Sequence, residues 1–175
     1  TRFAAQAGFR LQALPTVQAD GARISSSRIR AALAAHDIAH ARDLLGHDVT
    51  FTGKVRHGAG RGHALNTPTA NVHLPANWCL PDGVYVVQVA IAPDDARHWG
   101  VANIGTTPTF DGRQRKLEVH LLDHSAALYG ATLRVHIRHF LRSTRRFADA
   151  AALQAQIRQD IADTRFFIQQ EQQHG

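Results

Sequence analysis

A glycine-rich segment in the first half of the chain has the composition of a phosphate-binding loop. Residues 57–71 read HGAGRGHALNTPTAN, with glycine at positions 58, 60 and 62. Glycine lets a ligand approach backbone N–H groups closely, and successive N–H groups can form a concave anion site. The segment therefore predicts a polyphosphate site, whose residues would be Gly58, Gly60, Arg61 and Gly62.

Thr69 and Asn71 follow this segment two residues apart, so in an extended strand they share a face. A hydroxyl and an amide oxygen are hard ligands of the kind that Mg²⁺ takes beside phosphates and water. Two interpretations stay open on this pattern. The segment is half of a phosphoryl-transfer site, or it is a flexible loop with an ordinary turn, since proline and asparagine are common turn formers. It matches neither a Walker A loop nor a dinucleotide fingerprint.

A glutamate in the middle of a predicted strand is the second chemical feature. In the run LEVHLLD, residues 117–123, Leu117 and Val119 share one face while Glu118 and His120 share the other. Glutamate is disfavoured in strands, and a carboxylate facing a cleft could act as a general base. On the strand pattern alone, we prefer a solvated position on the sheet exterior, paired with an arginine.

The remaining nucleophilic and metal-binding residue types form no complete site. The twelve histidines are scattered, and the pair His36 and His40, four residues apart, lacks a third ligand for zinc. The single cysteine, Cys79, excludes an intrachain disulfide and is predicted to be a small buried apolar residue. We therefore interpret the histidines as structural or surface residues.

Composition limits the classes of partner. The 175-residue chain has a net charge of +6, which suits anionic partners. Aromatic residues make up 7% and do not alternate with the arginines, so the pattern of a nucleic-acid module is not met. No apolar run approaches the roughly 20 residues of a membrane helix. The chain is predicted to act in the cytoplasm on small molecules, without nucleic acid or membrane; oligomeric state stays open.

The apolar periodicity changes along the chain and predicts the fold class. Helices are predicted over residues 28–35, 37–45 and 147–170, with Asp37 and Asp149 as N-caps and Gly46 as a stop. Between them, six segments have the alternation and β-branched content of strands. Six strands without intervening helices predict an antiparallel sheet closed into a small barrel. The predicted strands cover residues 49–56, 72–74, 84–91, 99–104, 117–123 and 133–140.

An ordered set of phrases resembles the riboflavin kinase domain of bacterial bifunctional FAD synthetases over about residues 44–168. The phrases are the glycine-rich loop, PTAN, GVY, VANIGTTPT and LEVHLLD, at residues 58–62, 68–71, 83–85, 101–109 and 117–123. The resemblance implies a mainly β fold, a six-stranded Greek-key barrel with a C-terminal helix. It also implies transfer of the ATP γ-phosphate to the riboflavin 5′-hydroxyl, giving FMN and ADP with Mg²⁺ as cofactor.

The resemblance also implies a role for each matching residue. Thr69 would ligate Mg²⁺ on the nucleotide phosphates, Asn71 would help to hold the same cluster, and Glu118 would be the base. This replaces the solvated interpretation of Glu118. The flavin-side residues would be Asn103, Gly105, Thr106 and Arg142. Asn66, Thr67 and Thr107 depart from the family pattern, and we expect these departures to affect the affinity for substrates rather than the class of reaction.

The N-terminal part resembles the end of the adenylyltransferase domain of the same enzymes. The phrase ISSSRIR at residues 24–30 is similar to the phrase that closes that domain. Residues 1–46 are thus expected to be a helical remnant and linker, and residues 47–175 the kinase barrel. Such a chain would phosphorylate riboflavin without adenylylating FMN. The alternatives are a catalytically inactive flavin- or nucleotide-binding barrel and a nucleic-acid-binding barrel.

Overall fold

The computed structural model describes residues 7–8, 10, 12, 15–57, 68–75, 77–109, 112–124 and 128–174. Six antiparallel strands close into a barrel, which confirms the predicted barrel. They are β3 (Val49–Arg56), β4 (Ala70–His73), β5 (Gly83–Ile91), β6 (Arg97–Thr109), β7 (Gly112–Leu121) and β8 (Thr132–Arg142). The strands pair in the order β3-β4-β7-β6-β5-β8, and closure gives every strand two hydrogen-bonded neighbours and leaves no edge.

Helices flank the barrel in sequence, and side chains cap them. They are α1 (Ser26–Ala34), α2 (Ile38–Leu45) and α3 (Ala150–His174), preceded by two short strands, β1 (Gln18–Ala19) and β2 (Ala22–Arg23). Ser25 and Asp37 accept backbone N–H bonds at the starts of α1 and α2, and left-handed Gly46 ends α2. Asp149 accepts the Ala152 N–H at 2.8 Å before α3. Within the described residues, no helix has the length and apolarity to cross a bilayer.

The barrel interior and the first two helices share one hydrophobic core. Leu117, Val119 and Ile104, each at most 1% exposed, point into the barrel. The same contiguous cluster includes Leu33 of α1 and Ile38 of α2, which pack against the barrel from outside. Because this burial is the main favourable term in folding, residues 26–45 fold as part of the barrel's packing unit.

The β6–β7 hairpin is longer than its sequence pattern predicted. The predicted strands covered residues 99–104 and 117–123, whereas β6 extends to Thr109 and β7 begins at Gly112. The added arm is polar and includes a proline, so alternation of apolar residues does not reveal it. The prediction that Cys79 is buried was wrong, since its side chain is exposed in the loop before β5.

Asp48, at the start of β3, links α2 to two barrel strands. Its carboxylate lies 3.0 Å from Arg42 of α2, 3.0 Å from His136 of β8, 3.3 Å from Arg97 and 3.4 Å from Arg138. Burial alone would raise the pKa of Asp48, but Arg138, Arg42 and His136 together lower it below its ordinary value. The folded chain therefore favours the charged carboxylate.

Asp48→Asn is expected to lower the free energy of unfolding by about 1–3 kcal/mol, because Arg138, which is 14% exposed, and the more exposed Arg42 and Arg97 lose their charged partner. The pKa of Asp48 is lowered on folding, so its stabilisation is present above pH 3.8 and is lost as the pH falls through the folded pKa. Urea unfolding between pH 7 and pH 2 measures both effects.

The matched control is Asp95→Asn, which removes an exposed ion pair with Arg134. It is expected to change stability by no more than about 0.5 kcal/mol. Equal effects of the two substitutions would contradict the role assigned to Asp48.

Candidate functional site

Strand register brings three of the predicted site residues side by side. Glu118 of β7 lies directly opposite Asn71 of β4 on one side and Asn103 of β6 on the other. Directly opposed residues point to the same face, with Cβ atoms about 4.5–5.5 Å apart. Because Leu117 and Val119 point into the barrel, Glu118 and both asparagines lie on its outer surface.

The same register continues across two further strands. Asn103 pairs with Val84 of β5, and Val84 pairs with Arg142 of β8. We call this line of five residues the outer row: Asn71, Glu118, Asn103, Val84 and Arg142. Arg142 on β8 lies three strands away from Glu118 on β7 around the closed barrel.

Two donors hold the Glu118 carboxylate from different directions. Asn103 Nδ2 donates to Oε2 at 3.4 Å, and Lys116 Nζ lies 2.6 Å from Oε1. The Glu118 side chain is 30% exposed, so solvent or a ligand can reach it. A carboxylate can accept about four hydrogen bonds, so these two contacts leave capacity to take a proton from a hydroxyl.

Thr69 and Asn71 lie at the start of β4, beside the Glu118 strand. Asn71 is 9% exposed, and its side-chain Nδ2 donates to the Thr69 carbonyl at 3.4 Å. Because the amide nitrogen makes this bond, the amide oxygen is the atom of the side chain that can contact a ligand. His120 of β7 donates through Nδ1 to the Pro68 carbonyl at 3.0 Å. This bond holds the backbone just before Thr69 against β7. A hydroxyl and an amide oxygen are the donor types that Mg²⁺ accepts when phosphates and water supply its other ligands.

Thr106 does not join the outer row. It lies two residues beyond Ile104, on the face of β6 that turns into the barrel, and its hydroxyl donates to Asp82 at 3.1 Å. Asp82 also accepts two hydrogen bonds from Arg115, at 2.7 and 3.0 Å. Arg115 further donates to the Trp78 and Leu80 carbonyls, which ties the loop before β5 to the β6–β7 hairpin.

The loop that carries Asp82 is fixed from its other side by a buried tyrosine. Tyr85 is fully buried, and its hydroxyl donates to the Pro81 carbonyl at 2.9 Å. His36, between α1 and α2, contacts the same hydroxyl at 3.0 Å. Burial raises the pKa of Tyr85, so the hydroxyl keeps the proton that it donates.

Arg142 lies at the far end of the outer row and is engaged by α3. Its Nε and Nη2 donate to the two carboxylate oxygens of Asp160, both at 2.7 Å. Asp160 is 4% exposed and also accepts a bond from Gln156. This bidentate pair fixes the guanidinium plane, and it attaches α3 to the end of β8.

The predicted phosphate-loop residues Gly58, Gly60, Arg61 and Gly62 lie outside the described residues. Of the others, Asn71, Glu118, Asn103 and Arg142 share the outer row, while Thr69 precedes β4 and Gly105 lies on β6. The sequence analysis assigned no role in the site to Lys116, His120 or Asp82. Period-two alternation placed His120 on the face of Glu118, and the same alternation places Lys116 there.

On the outer surface of the barrel, this arrangement could abstract a proton from a bound ligand. A solvent-accessible carboxylate is held by two donors, and a pair of hard oxygen ligands lies on the adjacent strand. In the described residues, no group of three or more His, Cys, Asp or Glu side chains could hold a metal ion.

Comparison with known proteins shows the family of the chain. The family model described as riboflavin kinase (flavokinase) matches residues 45–168. The bifunctional riboflavin kinase/FMN adenylyltransferase of Pseudomonas fluorescens is 44% identical over 160 residues, 90% of this chain and 50% of that protein. The protein of the same name from Escherichia coli (strain K12) is 42% identical over 161 residues, 92% and 51% of the two chains. The chain thus spans about half the length of the curated relatives that it matches.

Two solved structures are similar as well. A Streptococcus pneumoniae structure described as a macrolide-efflux protein aligns with a TM-score of 0.78 and 34% identity, over 87% of this chain and 50% of that one. Riboflavin kinase from Trypanosoma brucei aligns with a TM-score of 0.52 over 70% and 78%, and at 23% identity it supports the fold alone. From the family match and the relatives above, the chain belongs to the riboflavin kinase family.

Proposed function

We propose that this chain transfers the γ-phosphoryl group of ATP to the 5′-hydroxyl of riboflavin, giving FMN and ADP. The observation that carries the proposal is the placement of Glu118, opposite Asn71 and Asn103 on the outer row, in a member of the riboflavin kinase family. We assign this activity to residues 47–175 and place it in the cytoplasm. We propose that residues 1–46 correspond to the end of a preceding domain and a linker, of which residues 26–45 pack into the barrel core.

Glu118 is the proposed general base. Its carboxylate takes the proton from the riboflavin 5′-hydroxyl as that oxygen forms a bond to the γ-phosphorus. The bond from this phosphorus to the bridging oxygen of the β-phosphate breaks, and ADP leaves with the electron pair. Phosphoryl transfer has a loose transition state, so positioning and charge neutralisation supply most of the catalysis.

Thr69 and Asn71 are the proposed protein ligands of Mg²⁺. When bound, the ion would neutralise charge on the β- and γ-phosphates. The contact between His120 and the Pro68 carbonyl supports this role, because it holds the Thr69 backbone beside the Glu118 strand. We propose that the backbone N–H groups of Gly58, Gly60 and Gly62, with Arg61, bind the same phosphates.

The acceptor site is proposed to extend from Glu118 along the outer row. Asn103 lies between the base and Val84, and Gly105 leaves the surface beside it open. We propose that Asn103 and Gly105 contact the flavin directly. Thr106 and Arg142 would border it, the first held by Asp82 and the second by Asp160.

Glu118→Gln is expected to lower FMN formation by about 10²–10⁴-fold, because the amide keeps the shape of the side chain but cannot take the proton. ATP binding, measured by calorimetry with Mg²⁺, is expected to stay unchanged. The matched control is Glu171→Gln, the same change at the only other glutamate of the chain. Turnover of the Glu118 variant equal to that of the control would remove Glu118 from the mechanism.

Gly105→Ala tests whether the flavin occupies the outer surface beside Asn103. A Cβ at position 105 would meet only Asn103 Nδ2, at 3.6 Å, so the fold accepts it. We expect the melting temperature to stay unchanged and the KM for riboflavin to rise, because the methyl group fills ligand space. Steady-state kinetics with riboflavin as the varied substrate give the KM.

Gly100→Ala is the contrasting variant on the same strand. Its Cβ would lie 2.6 Å from the His120 carbonyl oxygen, so we expect a destabilisation of about 1–3 kcal/mol. An unchanged riboflavin KM in the folded Gly105 variant would argue against flavin contact at this position.

A further inference from the structure

Lys116 makes a close contact with the proposed base that the catalytic scheme above does not use. Its Nζ lies 2.6 Å from Glu118 Oε1, and the two residues are two apart on the same face of β7. The Lys116 side chain is 23% exposed, so its stem is largely covered. Among the residues that the structure describes, Glu118 is its ion-pair partner.

The residues that pair with Lys116 on the two neighbouring strands leave its ammonium group available to contact Glu118. Its register partners are Gly105 on β6, which has no side chain, and His73 on β4. His73 is itself in contact with Gln114, at 3.1 Å. Neither of these register partners carries a carboxylate, and Glu118 on the same strand is the carboxylate in contact with Lys116.

Lysine at position 116 is unusual in this chain, in which most basic residues are arginine. The sequence has 18 arginines and only two lysines, Lys54 and Lys116. Arginine pairs through a planar fork, and Arg142 uses that fork to occupy both oxygens of Asp160. Lysine is a point charge, and Lys116 contacts one oxygen of Glu118. It leaves the other side of the carboxylate open, where Asn103 makes a longer bond of 3.4 Å.

We propose that Lys116 is a positioning residue for Glu118, an inference that rests on the proposed kinase function. The ammonium group holds Oε1, so the carboxylate is fixed while its free lone pairs face the acceptor hydroxyl. It also offsets the negative charge of Glu118 where the anionic γ-phosphate must approach, since like charges a few ångströms apart repel strongly near a protein surface. Lys116 neither gains nor loses a proton in the reaction.

A partly exposed ion pair of this kind contributes little to stability, so Lys116 variants are expected to fold. We would measure FMN formation from riboflavin and Mg·ATP for the wild type and for Lys116→Gln, Lys116→Arg and Lys54→Gln. The last variant makes the same change at the only other lysine, which is exposed on β3. Radiolabelled ATP keeps low residual rates measurable.

Lys116→Gln is expected to lower kcat by about 10- to 100-fold, the effect of a misplaced reactive group. The KM values for riboflavin and ATP should stay close to those of the wild type, because Lys116 contacts Glu118. Lys116→Arg should recover only part of the rate, because it restores the charge but its planar fork can occupy both oxygens of Glu118. Lys54→Gln should behave as the wild type.

A double-mutant cycle separates this role from an independent one. If Lys116 acts through Glu118, adding Lys116→Gln to the Glu118→Gln variant should cause little further loss. An additive loss, or a Lys116→Gln rate equal to that of Lys54→Gln, would overturn the proposal while leaving the kinase function intact. A wild-type chain that makes no FMN would instead overturn the proposed function itself.

Discussion

The pairing of β7 between β4 and β6 is the constraint on which the candidate site depends. Side chains alternate along a strand, so a slip of one residue would turn Glu118 into the barrel and bring Leu117 and Val119 to the surface. Burial of those two residues, each 1% exposed, opposes such a slip. The hydrophobic interior thereby holds a carboxylate on the outer surface, opposite Asn71 and Asn103.

Carboxylates paired with arginine join the surrounding elements to this barrel. Asp48 connects α2 to β6 and β8, Asp160 connects α3 to the end of β8, and Asp82 connects the loop before β5 to the β6–β7 hairpin. Five of the 18 arginines of this basic chain are thus paired with these three carboxylates. Glu118 differs from these three carboxylates because its cation is Lys116.

Local patterns in the sequence predicted much of the fold. The strand Val49–Arg56 was predicted with its observed bounds, because β-branched residues and alternation are continuous there. Asp37 and Gly46 marked the ends of α2 correctly through cap chemistry. The polar arm beyond Gly105 was missed, because its sequence lacks the alternation of apolar residues that marks a strand. The outer orientation of Glu118 was predictable from alternation, but its neighbours were not, since they depend on pairing between segments distant in the chain.

We propose that the riboflavin 5′-hydroxyl, ATP and the base Glu118 meet on the outer row. A crystal structure of the chain with ADP, Mg²⁺ and FMN tests it most directly. The account predicts the FMN phosphate ester oxygen within hydrogen-bond distance of Glu118, the flavin along Asn103 and Gly105, and Mg²⁺ beside Thr69. Ligands bound on another face of the barrel, with Glu118 exposed to solvent alone, would contradict it.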